Sequence, residues 1–258
     1  MFSSVEKEGI TVNIERPESN VRRISGSVVV DTPVSGCWDI LTDYNNLAVH
    51  VPNLVESKLV EWPSPNKPQN KWRLYQEGAQ KIIGFNFRAA VTLDMEEKVM
   101  PSSESFESHS IDFTMAESMY FAQFDGTWRA QLNGRRLVGR NPDGSPKYEY
   151  TSKLFYCVTI RPKGVVPVMA LEWRIKEDVP INLKAVKVAA EKLWKQRSEA
   201  SELAAKARAL RQSEPLGPLD DLELESETDP GVSQEETLSV YSDATQREET
   251  LEAYNNVR

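Results

Sequence analysis

The side chains that could perform acid–base chemistry are few in this 258-residue chain. The candidates are Glu77, Arg88, His109 and Tyr156. General acid–base catalysis needs such groups to converge at hydrogen-bonding distance in one pocket. His109 lies in a segment rich in serine and glutamate whose alternation does not point it clearly inward, and the chain holds only two histidines. These residue types therefore favour a function other than catalysis.

The cysteines and histidines do not form a metal-binding pattern. Cys37 and Cys157 are the only cysteines, and neither stands at metal-ligand spacing from His50 or His109. Two cysteines cannot build a disulfide framework, so both are interpreted as small buried hydrophobic side chains. The sequence also lacks a glycine loop of the kind that cradles phosphate. Neither a metal nor any other cofactor is therefore predicted.

Charge is distributed unevenly along the chain. Residues 201–258 contain 14 acidic and 5 basic residues, whereas residues 1–200 contain 25 acidic and 26 basic ones. The near-neutral part lacks the basic excess that attracts a phosphate backbone, so nucleic-acid binding is not predicted. No apolar run approaches the roughly 18 residues that span a bilayer, and residues 1–20 do not form a secretory signal. We expect a soluble intracellular protein, with no organellar presequence visible.

The hydrophobic period predicts the elements that would position these side chains. Val34, Trp38 and Leu41, at helical spacing after Pro33, predict a short helix, and a second helical turn should follow near residues 43–47. Strands are predicted at 10–14, 22–30, 54–62, 71–77, 83–95, 104–113, 120–136 and 148–161. Six successive strands without intervening helices imply an antiparallel meander.

After this meander the helical period returns. It predicts a short helix over residues 167–176 and a long one from about Asp178 to beyond Arg211. We therefore expect an α+β fold in which a curved antiparallel sheet wraps around a long C-terminal helix, with two short helices after the first main strand. One helix cannot fill the concave face of so wide a sheet. Large side chains or a pocket must occupy the remaining space.

Alternation along the strands indicates which residues face that space. The predicted ligand-binding residues are Phe85, Phe87, Phe124, Trp128, Leu154 and Tyr156 on the strands, and Leu193 and Trp194 on the helix. A ligand pocket is mostly apolar with a few polar anchors, and these apolar rows match that description. Residue by residue, ordinary core packing is the simpler explanation of the same rows, and the arrangement of the sheet around the helix keeps the pocket interpretation open.

Composition divides the chain into three parts. Residues 1–21 are an N-terminal strand or extension, residues 22–212 the main domain, and residues 213–258 an acidic tail predicted to be disordered. Apolar residues scattered through the tail, such as Leu238 and Tyr241, could fold on a protein partner. A solvating extension is the simpler explanation of the tail.

Several segments of the main domain resemble the START and polyketide cyclase/dehydrase superfamily. Residues 37–44, CWDILTDY, are similar to the W-x-x-LTDY stretch of bacterial and plastid cyclase/dehydrase-like proteins. The likeness extends in order to residues 51–57, 85–89, 124–129, 161–168 and 178–183, and covers about residues 22 to 200. It implies a helix-grip fold with a hydrophobic cavity, as in coenzyme-Q-binding START-like proteins and plant lipid-transport relatives. It implies no reaction, since carriers, receptors and enzymes share this fold.

Three functional hypotheses follow. The first is binding, and transport or presentation, of a hydrophobic small molecule such as a lipid, quinone or isoprenoid, with transient membrane contact. This hypothesis requires residues 46–54 or 164–169 to lie near the cavity mouth. The second is a scaffold or assembly factor that uses the domain surface and the acidic tail, and the third is a cyclase- or dehydratase-type enzyme. The plastid relatives suggest the plastid stroma as the compartment.

Overall fold

The structure is a computed structural model, which describes residues 3–7, 9–82, 85–100, 106–141, 144–164 and 168–213. Within these ranges, the side chains of residues 3–7, 80–82, 85–87, 169–171, 173–175 and 209–213 lie outside the description. The chain divides into two units, Met1–Arg208 and Ala209–Arg258. The acidic tail from residue 214 onward, predicted to be disordered, also lies outside the described residues.

The described part of the chain contains nine strands and three helices. The strands are β1 (Ser3–Lys7), β2 (Ile10–Glu18), β3 (Val21–Val30), β4 (Leu54–Val60), β5 (Lys71–Ile82), β6 (Phe85–Val99), β7 (Ser108–Ser118), β8 (Phe121–Arg140) and β9 (Pro146–Pro162). The helices are α1 (Val34–Leu41), α2 (Leu47–His50) and α3 (Val168–Ser213). All neighbouring strands are antiparallel, in the order β1-β2-β3-β9-β8-β7-β6-β5-β4. The predicted meander and helix-grip fold are therefore confirmed.

The N-terminal part of the sheet extends beyond the prediction. β1 was not predicted; it pairs with β2, which was expected to end before Pro17. In the structure β2 continues to Glu18, but its pairing with β3 shifts register between Glu15 and Glu18. Proline has no N–H to donate to a ladder and is therefore tolerated at such irregularities. The register shift explains why Pro17 does not end the strand.

The C-terminal helix is continuous, whereas two helices were expected. α3 contains Pro180 in its interior, where proline costs about 3 kcal/mol relative to alanine. Val179, Leu183 and Val186 are nevertheless almost fully buried against the core, and burial of one such side chain contributes about 1.5–3 kcal/mol. Tertiary packing on both sides of Pro180 therefore outweighs the local preference to break the helix.

α3 lies directly on β3 because Gly26 has no side chain. A Cβ atom at Gly26 would lie 2.8 Å from Leu183 Cδ1 and 3.1 Å from Val179 Cγ1, closer than carbon atoms normally pack. Further along, Lys187 Nζ donates a hydrogen bond of 2.7 Å to the backbone oxygen of Val29. The helix is therefore held close to the β2–β3 side of the sheet.

A charged cluster fixes the beginning of α3 to the same strands. Glu172 accepts a hydrogen bond of 2.5 Å from Arg22 Nε, and it also pairs with Arg16. The hydrogen bond from Arg16, aided by Arg22, holds the pKa of the Glu172 carboxyl below its usual range. The Arg22 side chain is only 8% exposed, so removal of Glu172 would leave a nearly buried, unpaired charge.

Gly126 lies in β8, the central strand of the sheet, at the point where pairing with β7 ends. A Cβ atom there would lie 2.1 Å from the Cys157 oxygen and 2.6 Å from Phe113 Cζ. Pairing between β7 and β8 ends at Phe113 and Gly126. Beyond this pair the Met115 N–H donates to Asp125 Oδ1 at 3.0 Å, so a side chain replaces the lost backbone acceptor. Gly126 thus allows the strands to separate and the sheet to curve.

We expect Gly126→Ala to destabilise the protein strongly. The clash at Gly126 involves backbone, which cannot move aside as a flexible side chain can, so the cost should be about 3 kcal/mol or more. Gly134→Ala on the same strand is a matched control, because a Cβ there would lie 3.7 Å from Thr151 Oγ1, an ordinary contact. Its effect should stay within about 1 kcal/mol. Urea unfolding of both variants measures the difference, and equal midpoints would contradict this explanation of the bend.

Candidate functional site

A cavity of about 270 Å³ lies between the concave face of the sheet, the α1–α2 region and α3. Its wall is mainly apolar and comes from six neighbouring strands, β4 to β9, as well as all three helices and the segment after α2. The described residues that line it are Leu41, Leu47, Val51, Asn53, Leu54, Gln76, Gly78, Ala89, Val91, Leu93, Met95, Ile111, Phe113, Phe121, Phe124, Trp128, Tyr156, Val158, Ile160, Asp178, Val179, Asn182 and Val186.

Five aromatic residues form a continuous wall on β7, β8 and β9. Phe121 contacts Phe124 with ring centroids 5.3 Å apart, and Phe124 lies 6.0 Å from Phe113. Phe113 in turn stacks on Tyr156 at 6.2 Å, and Tyr156 packs against Trp128 at 4.3 Å. Alternation along β8 brings Phe124 and Trp128 to one face of the sheet, and the register shift between Phe121 and Gln123 brings Phe121 to the same face. We call this set the aromatic wall; it offers a broad apolar surface to a bound molecule.

The polar lining residues come from three separate segments. Asn53 follows α2, Gln76 lies on β5, and Asp178 and Asn182 lie one turn apart on α3. Asn53 Nδ2 donates a hydrogen bond of 2.9 Å to Asp178 Oδ1, while Gln76 Nε2 lies 3.5 Å from Ser57 Oγ. We call these four residues the polar corner. The cavity therefore combines an apolar surface with a small group of polar anchors, which is typical of small-molecule sites.

The CWDILTDY segment holds the helical wall of the cavity in place. Thr42 Oγ1 donates to the Trp38 oxygen at the end of α1, at 2.9 Å. Tyr44 is buried and its hydroxyl donates to Glu97 Oε1 at 2.9 Å, while Ser57 Oγ donates to the Tyr44 oxygen at 2.6 Å. These contacts connect the α1–α2 segment to β4 and β6. They fix the backbone that carries Leu41 and Leu47 into the cavity wall.

Three of the eight predicted ligand-binding residues line the cavity: Phe124, Trp128 and Tyr156. Phe85 and Phe87 lie on β6, but their side chains are outside the described part of the structure. As ligand contacts, all five stay predictions.

The other three predicted residues occupy neighbouring parts of the core. Leu154 is fully buried and lies opposite Ala130 and Val28, one inward position along β9 from Tyr156. Leu193 packs against the core two turns beyond Val186, the last described lining residue of α3, and Trp194 is half-buried next to it. Helical period predicted the correct face of α3, but it could not show how far along the helix the cavity extends.

The acid–base candidates do not converge in the cavity. Glu77 Oε1 accepts a hydrogen bond of 3.1 Å from Arg88 Nη1, and both side chains lie on the face of the sheet opposite to the cavity-lining Gln76, Gly78 and Ala89. His109 packs edge-on against Trp38, with ring centroids 5.1 Å apart. Among the four candidates Tyr156 alone lines the cavity, and its burial raises the pKa of its hydroxyl.

The polar corner was not predicted. Asp178 was expected to start the long helix, and residues 178–183 carry part of the family resemblance, but neither signal placed Asp178 in a cavity wall. The position of Gln76 could have been predicted, because it stands two residues from both Leu74 and Gly78 on β5 and so shares their inward face. No local pattern links Asn53 to Asp178, since their contact joins residues 125 positions apart.

The family is established by sequence comparison. The chain matches, over residues 30–187, the family model described as polyketide cyclase / dehydrase and lipid transport. Because this match covers more than half of the chain, the protein belongs to that family, and the resemblance seen in its motifs is confirmed. No curated protein matches the sequence significantly.

Solved structures agree with the fold. A STAR-related lipid transfer protein from Xanthomonas axonopodis is 14% identical with a TM-score of 0.52, and the match covers 73% of this chain and 98% of that protein. Human STARD10 is also 14% identical, with a TM-score of 0.51 and 76% of each chain covered. At this identity the likeness concerns the fold alone. None of the helices in the described part is long and apolar enough to cross a membrane.

His109 should make stability depend on pH. Its side chain is 14% exposed, and Nδ1 has no hydrogen-bond partner among the described residues. Burial lowers the pKa of His109, and the Glu107 carboxylate opposes this effect. As the pH falls below about 6.5, the unfolded chain binds a proton before the folded protein does, so the free energy of unfolding decreases.

The measurement compares the full-length protein with His109→Gln in urea unfolding between about pH 7.5 and about pH 5.5. The original protein should lose more stability over this interval than the variant, which cannot titrate at this position. An identical loss in both proteins would show that His109 is not responsible.

Proposed function

We propose that this protein binds a hydrophobic small molecule in the cavity and carries or presents it. The observation that supports this best is the apolar cavity itself, with an aromatic wall on one side and a small polar corner on the other. The family description includes lipid transport, and one structural relative is named a lipid transfer protein. A carrier requires only a cavity and an entrance, and the cavity is present among the described residues.

The size of the cavity suggests the size of the ligand. An engineered protein cavity of about 150 Å³ accepts benzene, and the cavity here is close to twice that volume, at about 270 Å³. A ligand with about 10–15 carbon atoms would occupy a cavity of this volume. A short isoprenoid, a single-chain lipid or a small quinone would satisfy both the volume and the apolar lining.

The alternative of a cyclase- or dehydratase-type enzyme has weaker support. Of the acid–base candidates, only Tyr156 lies in the cavity, whereas Glu77 and Arg88 pair on the opposite face of the sheet and His109 packs against Trp38. General acid–base chemistry would need at least one further group at hydrogen-bonding distance from the substrate. The binding function therefore fits the geometry better.

We further propose that α2 forms the entrance and contacts a membrane transiently. Leu47 and Val51 line the cavity, while Val49 on the same turn is 78% exposed. A shallow groove continues from Val49 to Ile181 and Val188 on α3, which are 41% and 54% exposed. The exposed Lys184 lies in the same groove. Apolar side chains with an adjacent cation match the interface of an anionic bilayer.

Two other proposals rest on sequence alone. The acidic tail, residues 213–258, contains 13 acidic and 2 basic residues. This excess suits a basic protein partner, and the scaffold alternative depends on it. The plastid stroma is suggested by the resemblance to plastid proteins. Removal of residues 214–258 followed by a pull-down would test the first proposal, and cell fractionation would test the second.

Filling the cavity should abolish ligand binding. Ala89 lines the cavity, whereas the next residue, Ala90, points to the opposite face of β6. Ala89→Trp would place an indole in the space for the ligand, and Ala90→Trp is its matched control. Native mass spectrometry of the purified protein, followed by organic extraction, should show an apolar adduct with the original protein and with Ala90→Trp but not with Ala89→Trp. Calorimetric titration with farnesol should follow the same pattern.

Two results would contradict the proposal. One is the absence of any adduct together with no binding of farnesol, long-chain alcohols or quinones by the original protein. The other is unchanged binding by Ala89→Trp when circular dichroism shows that the variant is folded, because the ligand would then occupy a different site.

A charge on α2 should slow loading from membranes. Val49→Asp places a carboxylate on the exposed face of α2, where it would be repelled by anionic lipid. The rate of farnesol transfer from vesicles of phosphatidylcholine and phosphatidylserine should fall several-fold, while affinity for farnesol added from solution stays unchanged. Val99→Asp, at a valine that is 61% exposed on β6, is the matched control. Equal transfer rates for the two variants would exclude α2 as the membrane-contacting entrance.

A further inference from the structure

The aromatic wall of the cavity carries one hydroxyl group, that of Tyr156. Tyr156 lines the cavity, and its side-chain contacts are with the rings of Phe113 and Trp128. Its hydroxyl forms no hydrogen bond with any residue that the structure describes. A tyrosine hydroxyl can donate and accept a hydrogen bond, and in buried tyrosines it usually has a partner. A molecule bound in the cavity can supply the partner that the described part of the chain does not.

The ring of Tyr156 is fixed in position by its neighbours. In the sheet Tyr156 lies between Gly26 on β3 and Trp128 on β8. Phe113 stacks on its ring at an interplanar angle of 20°, and the Trp128 ring centroid lies 4.3 Å away. Rotation of the Tyr156 side chain would break both ring contacts. The hydroxyl is therefore preorganised, so a ligand that binds it loses little affinity to the ordering of this side chain.

The surroundings of this hydroxyl keep it protonated. Burial disfavours the charged phenolate and raises the pKa of Tyr156. The group is therefore a neutral hydrogen-bond donor over the physiological pH range. A hydrogen bond in apolar surroundings is electrostatically stronger than in water, because the local dielectric constant is low. The group that completes it best is an oxygen atom with a free lone pair.

We infer that the ligand carries an oxygen atom that accepts a hydrogen bond from the Tyr156 hydroxyl. Ketones, quinones, ethers and alcohols contain such an oxygen, whereas hydrocarbons do not. The carbon skeleton of the ligand packs against the other rings of the aromatic wall. This inference rests on the proposed binding function and deepens it by naming the polar group of the ligand. It makes Tyr156 the residue that distinguishes oxygenated apolar molecules from hydrocarbons of the same size.

The test compares two compounds that share the farnesyl chain. Farnesyl methyl ether has an oxygen that accepts a hydrogen bond but cannot donate one, and farnesene has no oxygen. Both are titrated by calorimetry into the full-length protein and into Tyr156→Phe. The two compounds also differ in how strongly water solvates them. The informative quantity is therefore the change in the ratio of their affinities between the two proteins, as in a double-mutant cycle.

Tyr156→Phe should weaken binding of the ether alone. The substitution removes one hydroxyl and keeps the ring, so affinity for farnesyl methyl ether should decrease about 5- to 10-fold while affinity for farnesene stays the same or rises. The melting temperature of the ligand-free protein should not fall, because the hydroxyl has no hydrogen-bond partner among the described residues. Tyr150→Phe is the matched control. Tyr150 contacts Tyr148 on β9 and is not among the described lining residues, so its substitution should alter neither affinity.

The outcomes distinguish the inference from the proposed function. If farnesol, the ether and farnesene all fail to bind to the original protein, the proposed binding function itself fails for this class of molecule. If they bind and Tyr156→Phe changes the affinities for ether and hydrocarbon equally, or changes neither, the binding function stands and the inference about Tyr156 is wrong. A marked fall in the melting temperature of ligand-free Tyr156→Phe would also contradict the inference, because the hydroxyl would then stabilise the fold.

Discussion

The close contact between α3 and β3 determines where the cavity lies. Gly26 leaves no side chain between the helix and the strand, so Val179 and Leu183 reach the β3 backbone. Strands in a sheet are about 4.8 Å apart, so nine of them extend over roughly 40 Å, whereas a helix with its side chains is about 10 Å wide. A helix held on β3 by Gly26, Arg22 and Lys187 cannot also cover β5 to β8. The cavity is the uncovered part of the concave face.

The segment that closes this space is short and depends on a few polar contacts. α2 consists of the four residues Leu47–His50, and an isolated helix of that length is not stable by itself. Its position depends on neighbouring contacts such as those of Tyr44 with Glu97 and of Ser57 with the Tyr44 backbone. Segments with little buried apolar surface open at low free-energy cost. The short length of α2 is therefore consistent with its proposed role as the entrance.

Much of the fold could be predicted from the sequence because its signals are local. Alternation with period two along β4 to β9, and its replacement by a helical period afterwards, were sufficient to predict the meander and the helix-grip arrangement. The failures concern interactions between distant residues. α3 continues through Pro180 because Val179 and Leu183 pack on β3, and β2 continues past Pro17 because its register shifts. Neither effect has a counterpart in the nearby sequence.

The candidate site also combines residues that local sequence signals predict with residues that only distant contacts bring together. The aromatic residues Phe124, Trp128 and Tyr156 follow strand alternation, so the sequence predicted the face on which they lie. The polar corner is assembled from Asn53, Gln76, Asp178 and Asn182, and only the folded chain brings these segments together. Tertiary contacts between side chains far apart in the sequence have no periodic signature, so single-sequence reasoning could not find them.

The two parts of the cavity contribute differently to recognition. Apolar burial stabilises a bound molecule in proportion to the area removed from water, about 25 cal/mol per Å², and this contribution is nearly the same for an alcohol, an acid or an ether with the same carbon chain. Specificity is a difference between affinities, and here it must come from groups that interact unequally with these compounds. The Tyr156 hydroxyl and the polar lining residues Asn53, Gln76, Asp178 and Asn182 are such groups, because they carry hydrogen-bonding atoms that the apolar lining does not offer. The fold, shared with relatives of 14% identity, accounts for the existence of a cavity, whereas we propose that its polar lining selects the polar group of the ligand.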